Sequence, residues 1–430
     1  MTERFAGFSL RSVRGVPVLF DEDRRFKTLR LVVLVRRPLG SAEDVAARSL
    51  LPALLVHGTR RDVDRPAIAR RMELLYGAAL GPSIGKHGEA QVLRASLDVV
   101  AGEFLPGRPP QLEDGLAFLA ELLVEPRLAG EAFPAAVFER ERRQALDAVR
   151  TRVDDRGSHA RDEALRLACA GEPHAIPDYG SEAALLAMDA AAPERARRDL
   201  LARGEAFVVA CGAFDSERLL AAVDSFLARL PERRVEPVGP PVPVAPRAPR
   251  RHVDRVPLQQ SKFVLVLRFP PSDDPTIWIG RRLFVAMLGG GPQSRLFLQL
   301  REKRSLAYYA SAGVDRAKGL LLVQVGCDEE RAAQVEEETQ RQLAELGRGA
   351  FEPAELEVAR AQMLHALDTV GDAVASRCQF VAENWLLRAD RTPQALRAAY
   401  LAADRELVMS SAAGLWQDFA YLLAPGTPRP

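Results

Sequence analysis

The chain has 430 residues, of which 47% are hydrophobic and 27% charged, which is the composition of a globular protein with room for more than one domain. Its 59 basic and 58 acidic residues leave a formal charge of +1, which argues against an electrostatic nucleic-acid binder. The uncharged stretches fall short of the ~20 residues that span a bilayer, and the N-terminal sequence lacks a signal-peptide pattern, so we expect a cytoplasmic protein with no membrane segment.

The elements of the first half are predicted from pattern and capping signals. A β-branched and leucine-rich run at Leu31–Val35 indicates a strand. Ser41, with Asp44 three residues later, resembles a helix-capping arrangement and begins a helix that ends near residue 57. A second helix runs up to Tyr76, the strand Ala90–Val100 follows, and long amphipathic helices complete this half.

A proline-rich stretch at residues 235–251 divides the chain. Each proline fixes its φ angle and removes a hydrogen-bond donor, so this stretch forms neither a helix nor a central strand. We predict an extended, semi-rigid linker between an N-terminal domain at residues 1–234 and a C-terminal domain at residues 252–430.

The second half repeats the first at an offset of 232 residues. The segment LVVLVRRP (31–38) falls on FVLVLRFP (263–270), and with no gap Tyr76 meets Tyr308. One offset that holds over more than fifty residues indicates an internal duplication. We therefore predict an α+β fold with two homologous αβ-sandwich domains, each a mostly antiparallel sheet with helices packed on one face.

Histidines and cysteines give no metal-binding pattern. A catalytic zinc needs about three protein ligands, yet no two of the six histidines are closer than fifteen residues, so no helix presents a histidine pair. The nearest cluster, His159 with Asp162 and Glu163, is better interpreted as solvated. The four cysteines are widely spaced and contain no Cys-x-x-Cys pair, which favours a reducing compartment; they are Cys169, Cys211, Cys327 and Cys378.

The most informative segment is LGGGPQSRLFLQLREKRSLAYYASAGVD, residues 288–315. Consecutive glycines at Gly289, Gly290 and Gly291 permit a sharp turn or a close backbone approach, and they either line a path for substrate or end a helix. Arg301 and Tyr308 are seven residues apart, about two helical turns, so we expect both on one side of a helical element.

This segment resembles the second-domain signature of the insulinase/pitrilysin family of zinc peptidases, which includes mitochondrial processing peptidase. The family form is a glycine-rich turn, then Ser-Arg-Leu-Phe, then Arg-Glu-x-x-x-Leu-Ala-Tyr. Residues 15–230 resemble the family's first domain, so the resemblance covers nearly the whole chain. It implies the metallopeptidase-like clamshell arrangement of the two domains.

The resemblance also shows a degenerate zinc site. Active members carry His-x-x-Glu-His shortly before a Gly-Thr pair, but here the text is SLLPALLVHGT at residues 49–59. Aligned on that pair, the two histidine positions hold Ser49 and Ala53, and the catalytic glutamate position holds Pro52. The third ligand position falls on Ala148. We expect this chain to bind no zinc and to have no peptidase activity on its own.

The second-domain residues of the family are retained. The resemblance maps its substrate-contacting arginine and tyrosine onto Arg301 and Tyr308, and a guanidinium and a phenol donate hydrogen bonds to peptide carbonyls and oxyanions. It implies a non-catalytic subunit that pairs with a zinc-motif-bearing homologue, with zinc in that partner and a peptide or unfolded polypeptide as substrate. Arg301, Tyr308 and the three glycines at 289–291 are the predicted substrate-binding residues.

Simpler interpretations stay open. Tyr308 could be a core residue, because its mate Tyr76 lies in a half that would not use it. Arg301 could lie on a solvated helix face beside Glu302, and Arg295 is expected to pair locally. The alternative function is a non-enzymatic peptide-binding or scaffold protein, forming a homodimer where no partner exists.

Overall fold

The computed structural model describes residues 3–272 and 274–426, which form two compact units. The first unit comprises the residues up to Val149, Ile176–Pro240 and Thr369–Thr392, and the second comprises Arg150–Ala175, Pro241–Asp368 and the residues from Pro393 onward. Each unit therefore includes a segment from the opposite half of the sequence. The units differ in this respect from the contiguous halves that the proline-rich stretch predicts.

The sheet of the first unit has the strand order β1-β2-β3-β7-β4-β6-β5, in which only β3 and β7 are parallel. Its strands are β1 (Glu3–Phe5), β2 (Phe8–Val13), β3 (Val16–Glu22), β4 (Thr28–Pro38), β5 (Ala79–His87), β6 (Ala90–Val100) and β7 (Glu205–Gly212). The central strand β4 is apolar along most of its length and buried, as a strand covered on both faces must be.

The sheet of the second unit has the order β10-β11-β9-β12-β8, in which only β12 and β8 are parallel. Its strands are β8 (Arg250–Val256), β9 (Ser261–Arg268), β10 (Tyr309–Asp315), β11 (Leu320–Cys327) and β12 (Trp416–Pro425). The order β5-β6-β4-β7-β3 of the first sheet is the same order with the same parallel pair. The shared topology supports the duplication inferred from the sequence.

The gapless offset of 232 is wrong beyond the first strands. Leu31 pairs with Leu97, whereas its repeat mate Phe263 pairs with Val325, so the offset at the paired strand is 228. The loops between these strands differ in length between the two halves of the chain, and a comparison without gaps does not allow for that difference. Tyr308 directly precedes β10, while Tyr76 lies three residues before β5, so the two tyrosines are not strict repeat mates.

The helices of the first unit cover both faces of its sheet. They are α1 (Ala42–Ser49), α2 (Leu51–Leu55), α3 (Arg65–Leu74), α4 (Gln111–Val124), α5 (Ala135–Thr151, whose last residues enter the second unit), α7 (Glu182–Ala187), α8 (Ala192–Arg203), α9 (Ser216–Leu227) and α13 (Val374–Leu386). Side chains alternate along β4, so Val33 belongs to the core cluster that includes residues of the first eight helices, and Val32 belongs to the cluster that includes α13.

The second unit shows the same layering. Its helices are α6 (Arg156–Ala168), α10 (Ile277–Gly289), α11 (Ala332–Gly347), α12 (Pro353–Asp368), α14 (Pro393–Ala402) and α15 (Arg405–Ala412). Helix α6 packs on β9 and β12 through Ala160, Ala164 and Ala168. The α+β class with two homologous sandwich units is confirmed, but the expectation of helices on one face only is wrong, because α6 and α13 cover the opposite faces.

Two sequence features outside the sheets follow the prediction closely. The proline-rich stretch has no regular structure from residue 231 to residue 249, and strand β8 begins at Arg250. Ser41 caps α1 in a complete capping box with Asp44. In residues 3–272 and 274–426 we find no helix long and apolar enough to cross a membrane.

Candidate functional site

The degenerate zinc positions lie on three helices of the first unit. Ser49 is the last residue of α1 and its hydroxyl donates to the carbonyl of Ala46 at 2.7 Å. The helix breaks at Leu50, and Pro52 lies in the first turn of the separate helix α2, where a missing N–H costs no hydrogen bond. The single helix expected between Ser41 and residue 57 is therefore two short helices, and Pro52 belongs to the second of them.

The Gly-Thr pair that follows α2 has a structural role of its own. Gly58 has a φ of 150°, and a Cβ there would lie 2.8 Å from the carbonyl carbon of Val63. The buried Thr59 hydroxyl accepts hydrogen bonds from the backbone N–H groups of Asp62 and Arg61 at 2.8 and 3.2 Å. This turn requires a glycine and a short hydroxyl side chain whether or not a metal is bound.

His57 has a buried carboxylate beside it that sequence reasoning missed. Its Nε2 atom lies 2.7 Å from Oε1 of Glu141, and the Arg140 guanidinium lies 2.8 Å from the same nitrogen. Burial lowers the pKa of His57 despite the opposing effect of Glu141. The pair is separated by 84 residues in sequence, so only the packing of α5 against α2 reveals it.

This pair lacks the further ligands that a zinc site needs. Within residues 3–272 and 274–426, no three His, Cys, Asp or Glu side chains are grouped to hold a metal ion. Ala148, at the third ligand position, is exposed on α5. The four cysteines are buried and form no disulfide within the described residues, and two of them, Cys211 and Cys378, lie in contact in the same core cluster.

The three glycines of the motif have different surroundings in the second unit. Gly289 is the last residue of α10, and a Cβ there would lie 2.4 Å from the backbone nitrogen of Ala312 on β10. Gly290 caps the helix with a φ of −81°. Gly291 borders open space. The close approach of α10 to β10 thus accounts for Gly289, and the end of the helix accounts for Gly290. A side chain at Gly291 would meet no atom of the described residues within 4 Å.

Arg301 lies on a π-helical segment, Phe297–Lys303, which is a form that occurs often at functional sites. Its side chain is 49% exposed, with Nε 3.7 Å from Oε1 of Glu302. The guanidinium carbon lies 4.8 Å from the centre of the Phe297 ring. The Phe297 ring thus covers one face of the Arg301 guanidinium. Among the described residues, the N–H groups of that guanidinium form one ion pair, the long contact with Glu302.

Tyr308 lies just before β10 and is 50% exposed. Its hydroxyl donates to Oδ1 of Asp328 at 3.0 Å. That hydrogen bond and the carboxylate charge raise the pKa of Tyr308, so the phenol remains a donor at neutral pH. The interpretation of this residue as a core tyrosine is wrong, because Tyr308 and Tyr76 are both about half exposed.

Arg301 and Tyr308 belong to different elements. The π-helical segment ends at Lys303, and a turn with Ser305 at a φ of 52° leads into β10. The expectation that two helical turns connect Arg301 and Tyr308 is therefore wrong. Arg295 forms ion pairs with Glu355 at 2.7 Å and Glu345 at 3.1 Å, but these partners are 60 and 50 residues away in sequence, so the expectation of a local pair is wrong.

Two sheets of the same strand order, each with helices packed on it, define a duplicated α+β protein. Residues 198–363 match the family model described as "Peptidase M16 inactive domain". The chain is 26% identical over 363 residues to "Probable inactive metalloprotease YmfF" of Bacillus subtilis (strain 168), which covers 83% of this chain and 84% of that protein.

Solved structures agree with this assignment at the level of fold. A conserved protein from Enterococcus faecalis V583 superposes with a TM-score of 0.89 at 24% identity, covering 97% of this chain and 98% of that one. The peptidase M16 inactive domain from Pseudomonas fluorescens superposes with a TM-score of 0.82 at 20% identity, covering 98% and 100%. The comparisons thus agree with the resemblance carried by the sequence motifs: the chain is similar over most of its length to a probable inactive metalloprotease and, over residues 198–363, to the M16 peptidase model.

Proposed function

We propose that this chain is the non-catalytic subunit of a two-chain zinc endopeptidase in the cytoplasm. The chain itself binds no cofactor; a homologue with the His-x-x-Glu-His motif supplies the zinc, and this chain supplies substrate-binding residues. The substrate is a peptide or an unfolded polypeptide. Neither a nucleic acid nor a membrane takes part.

The exposure of Arg301 and Tyr308 carries this proposal. Both side chains are about half exposed, and among the described residues the polar end of each has one side-chain partner, Glu302 for Arg301 and Asp328 for Tyr308. A guanidinium on an aromatic ring and a protonated phenol are suited to donate hydrogen bonds to peptide carbonyls. In the same chain the zinc positions hold Ser49, Pro52 and Ala53. The chain therefore keeps the hydrogen-bond donors of its second half but lacks the metal ligands of its first half.

Capture of the tagged protein from its native host at low salt, with mass spectrometry of what co-purifies, tests the pairing. A homologue that carries His-x-x-Glu-His in near-equal amount is the expected result. Recovery of this chain alone, at adequate expression and under gentle conditions, would contradict the proposal.

The role of Arg301 is tested in the purified complex. We expect Arg301→Ala to leave assembly intact and to lower kcat/KM for peptide cleavage by about 10- to 150-fold, the loss of one charge-assisted hydrogen bond. Lys303→Ala is the matched control, because it removes an exposed cation from the same segment. Full activity of the Arg301→Ala complex would refute the role of Arg301 in substrate binding.

A peptide-binding homodimer without activity is the second candidate, and the position of β10 favours it. Strand β10 is at the edge of its sheet and pairs only with β11 among the described strands. An extended peptide adds to such an edge through backbone hydrogen bonds. Peptide affinity of the isolated chain, together with self-association and no zinc-bearing partner, would support this function over the first.

A further inference from the structure

A cavity of about 620 Å³ lies at one end of the first unit's sheet. None of the degenerate zinc positions is among the residues that line it. It is formed where strands β3 and β7 begin and where β4 and helix α13 end, at Val16, Glu205, Arg36 and Leu386. This volume is within the range of sites that enclose small organic ligands. No part of the proposed peptidase role uses it.

One wall of the cavity is aromatic. Trp385, near the end of α13, meets Phe5 edge-on with ring centres 4.9 Å apart and lies 6.0 Å from the Phe207 ring. All three side chains line the cavity. Together they form an apolar wall of inclined rings, and covering it with a hydrocarbon or aromatic group would remove apolar surface from water.

Two of the arginines that line the cavity are neutralised by carboxylates. Arg36 lies 2.6 Å from Glu205, which also lines the cavity, and donates to the carbonyl of Leu386 at 3.2 Å. Arg14 lies 2.8 Å from Asp224. These pairs hold their guanidinium groups in place and leave little positive charge for a ligand.

The other two arginines have no carboxylate partner in the described part of the chain. Arg233 donates to the carbonyl of Gly204 at 2.6 Å, and its Nη1 atom is buried without a hydrogen-bond partner. Burial lowers the pKa of Arg233, and no nearby anion opposes the effect. Arg388 is exposed, and its hydrogen bond within the described part of the chain, to the carbonyl of Val238, is long at 3.4 Å. Both guanidinium groups can therefore donate to an added anion, and Arg233 has a buried donor that lacks a partner.

We propose that this cavity binds a small amphipathic organic anion. Its carboxylate accepts hydrogen bonds from Arg388 and Arg233, and its apolar body covers Trp385 and Phe5. Charge and apolar surface are adjacent in one enclosure, which matches a ligand with an anionic head and a hydrocarbon body. This proposal is independent of the peptidase-subunit function, since its residues are separate from Arg301 and Tyr308.

Fluorine NMR of the full chain labelled with 5-fluorotryptophan locates binding directly. The chain has three tryptophans, Trp278, Trp385 and Trp416, so three resonances can be assigned with single Trp→Phe variants. Dodecanoate, titrated below its critical micelle concentration, is expected to shift the Trp385 resonance alone. No shift at Trp385, or an equal shift at all three tryptophans, would overturn the proposal.

Matched ligands and variants then test the charge. Dodecanol, which lacks the carboxylate, is expected to bind at least ten-fold more weakly than dodecanoate, and Arg388→Gln to weaken dodecanoate about ten-fold or more. Arg195→Gln removes an exposed arginine outside the cavity and should leave the affinity unchanged. Equal binding of dodecanol and dodecanoate, or equal affinity of the two variants, would contradict the proposed anion site.

One further comparison identifies the source of the anion. N-acetyl-trileucine is titrated with a free and with an amidated C-terminus. If the free peptide binds more tightly than both its amide and dodecanoate, the anion is a peptide carboxylate; if dodecanoate binds more tightly, it is a fatty carboxylate. Both results support an anion site.

Discussion

At the scale of single residues, Gly289 and Gly291 are two positions apart and have opposite surroundings. A methyl group at Gly289 would press into the backbone of β10 at Ala312, whereas one at Gly291 would point into open space. Neither glycine has a positive φ, so backbone strain does not separate them. The difference lies entirely in packing.

We expect Gly289→Ala to destabilise the protein by about 1–3 kcal/mol, because the helix must move away from the strand to admit the methyl group. Gly291→Ala should change the free energy of unfolding by about 0.5 kcal/mol or less. Urea unfolding of both variants measures the difference. Equal stability of the two would show that α10 does not pack on β10 as closely as described.

At the same scale, the sequence predicts some site residues and not others. The motif predicts Arg301 and Tyr308 as paired features, and both are exposed side chains that carry donors. It cannot predict that the helix ends at Lys303, because the turn at Ser305 depends on backbone hydrogen bonds to Leu300 from Leu306 and Ala307. The His57–Glu141 pair is equally hidden, since no local pattern relates residues so far apart.

At the scale of elements, a buried charge network joins β9, β12 and the segment after α6 in the second unit. Asp418 has no exposed side-chain surface and accepts hydrogen bonds from Arg247, Arg250 and Arg268 at 2.6–3.1 Å. Arg268 also binds Glu172 at 2.6 Å. Burial would raise the pKa of Asp418, but the hydrogen bonds from the arginines outweigh it and keep that pKa below its ordinary value.

The lowered pKa of Asp418 predicts an acid-sensitive fold. An unfolded aspartate has a pKa of ~3.9, so stability from the ionised network is fully present above about pH 4 and is lost as the pH falls through the lower folded pKa. We expect Asp418→Asn to cost about 3–5 kcal/mol at pH 7 and to make unfolding less dependent on pH between 5 and 3.

Urea unfolding at several pH values measures the acid dependence in both proteins. Asp189→Asn is the control, because Asp189 is in an exposed ion pair with Arg195 and should matter by about 1 kcal/mol or less. A wild-type stability that does not fall between pH 5 and pH 3 would contradict the prediction.

The elements themselves are predictable where the cause is local. The Ser41 cap and the strand Ala90–Val100 follow from a capping group and an apolar run, and the structure places α1 and β6 there. The comparison of the two halves fails where a loop intervenes, as between β4 and β6, because the length of the loop changes the offset between equivalent residues. The sheet that each amphipathic helix covers is also unpredictable, since its pattern does not specify a partner.

At the scale of the whole molecule, each sequence half lacks a helix that its own sheet requires. The first half folds into a sheet whose second face is covered by α13, where Val381 and Cys378 are buried against the strands. The second half contains a sheet that is covered by α6. The chain consequently passes between the two units five times.

We expect residues 1–240 and 241–430, expressed separately, to fail to fold cooperatively, because each fragment leaves one face of an apolar sheet bare. Co-expression of the two fragments should restore a soluble species, since together they contain every helix. Size-exclusion chromatography and urea unfolding of the fragments, alone and together, provide the test. A cooperative transition in fragment 1–240 alone would contradict this prediction.

The position of α13 in the sequence also bears on synthesis. The last strand of the first sheet, β7, ends at Gly212, whereas α13 ends at Leu386. At ~5–20 residues per second, a ribosome needs on the order of ten to thirty seconds to span that interval. During that time Val32, Leu34 and Val209 lack the α13 side chains that cover them in the folded protein. The time for which this face of the sheet needs protection by chaperones is therefore set by the order of the elements along the chain. Moving α13 ahead of β7 would shorten that time.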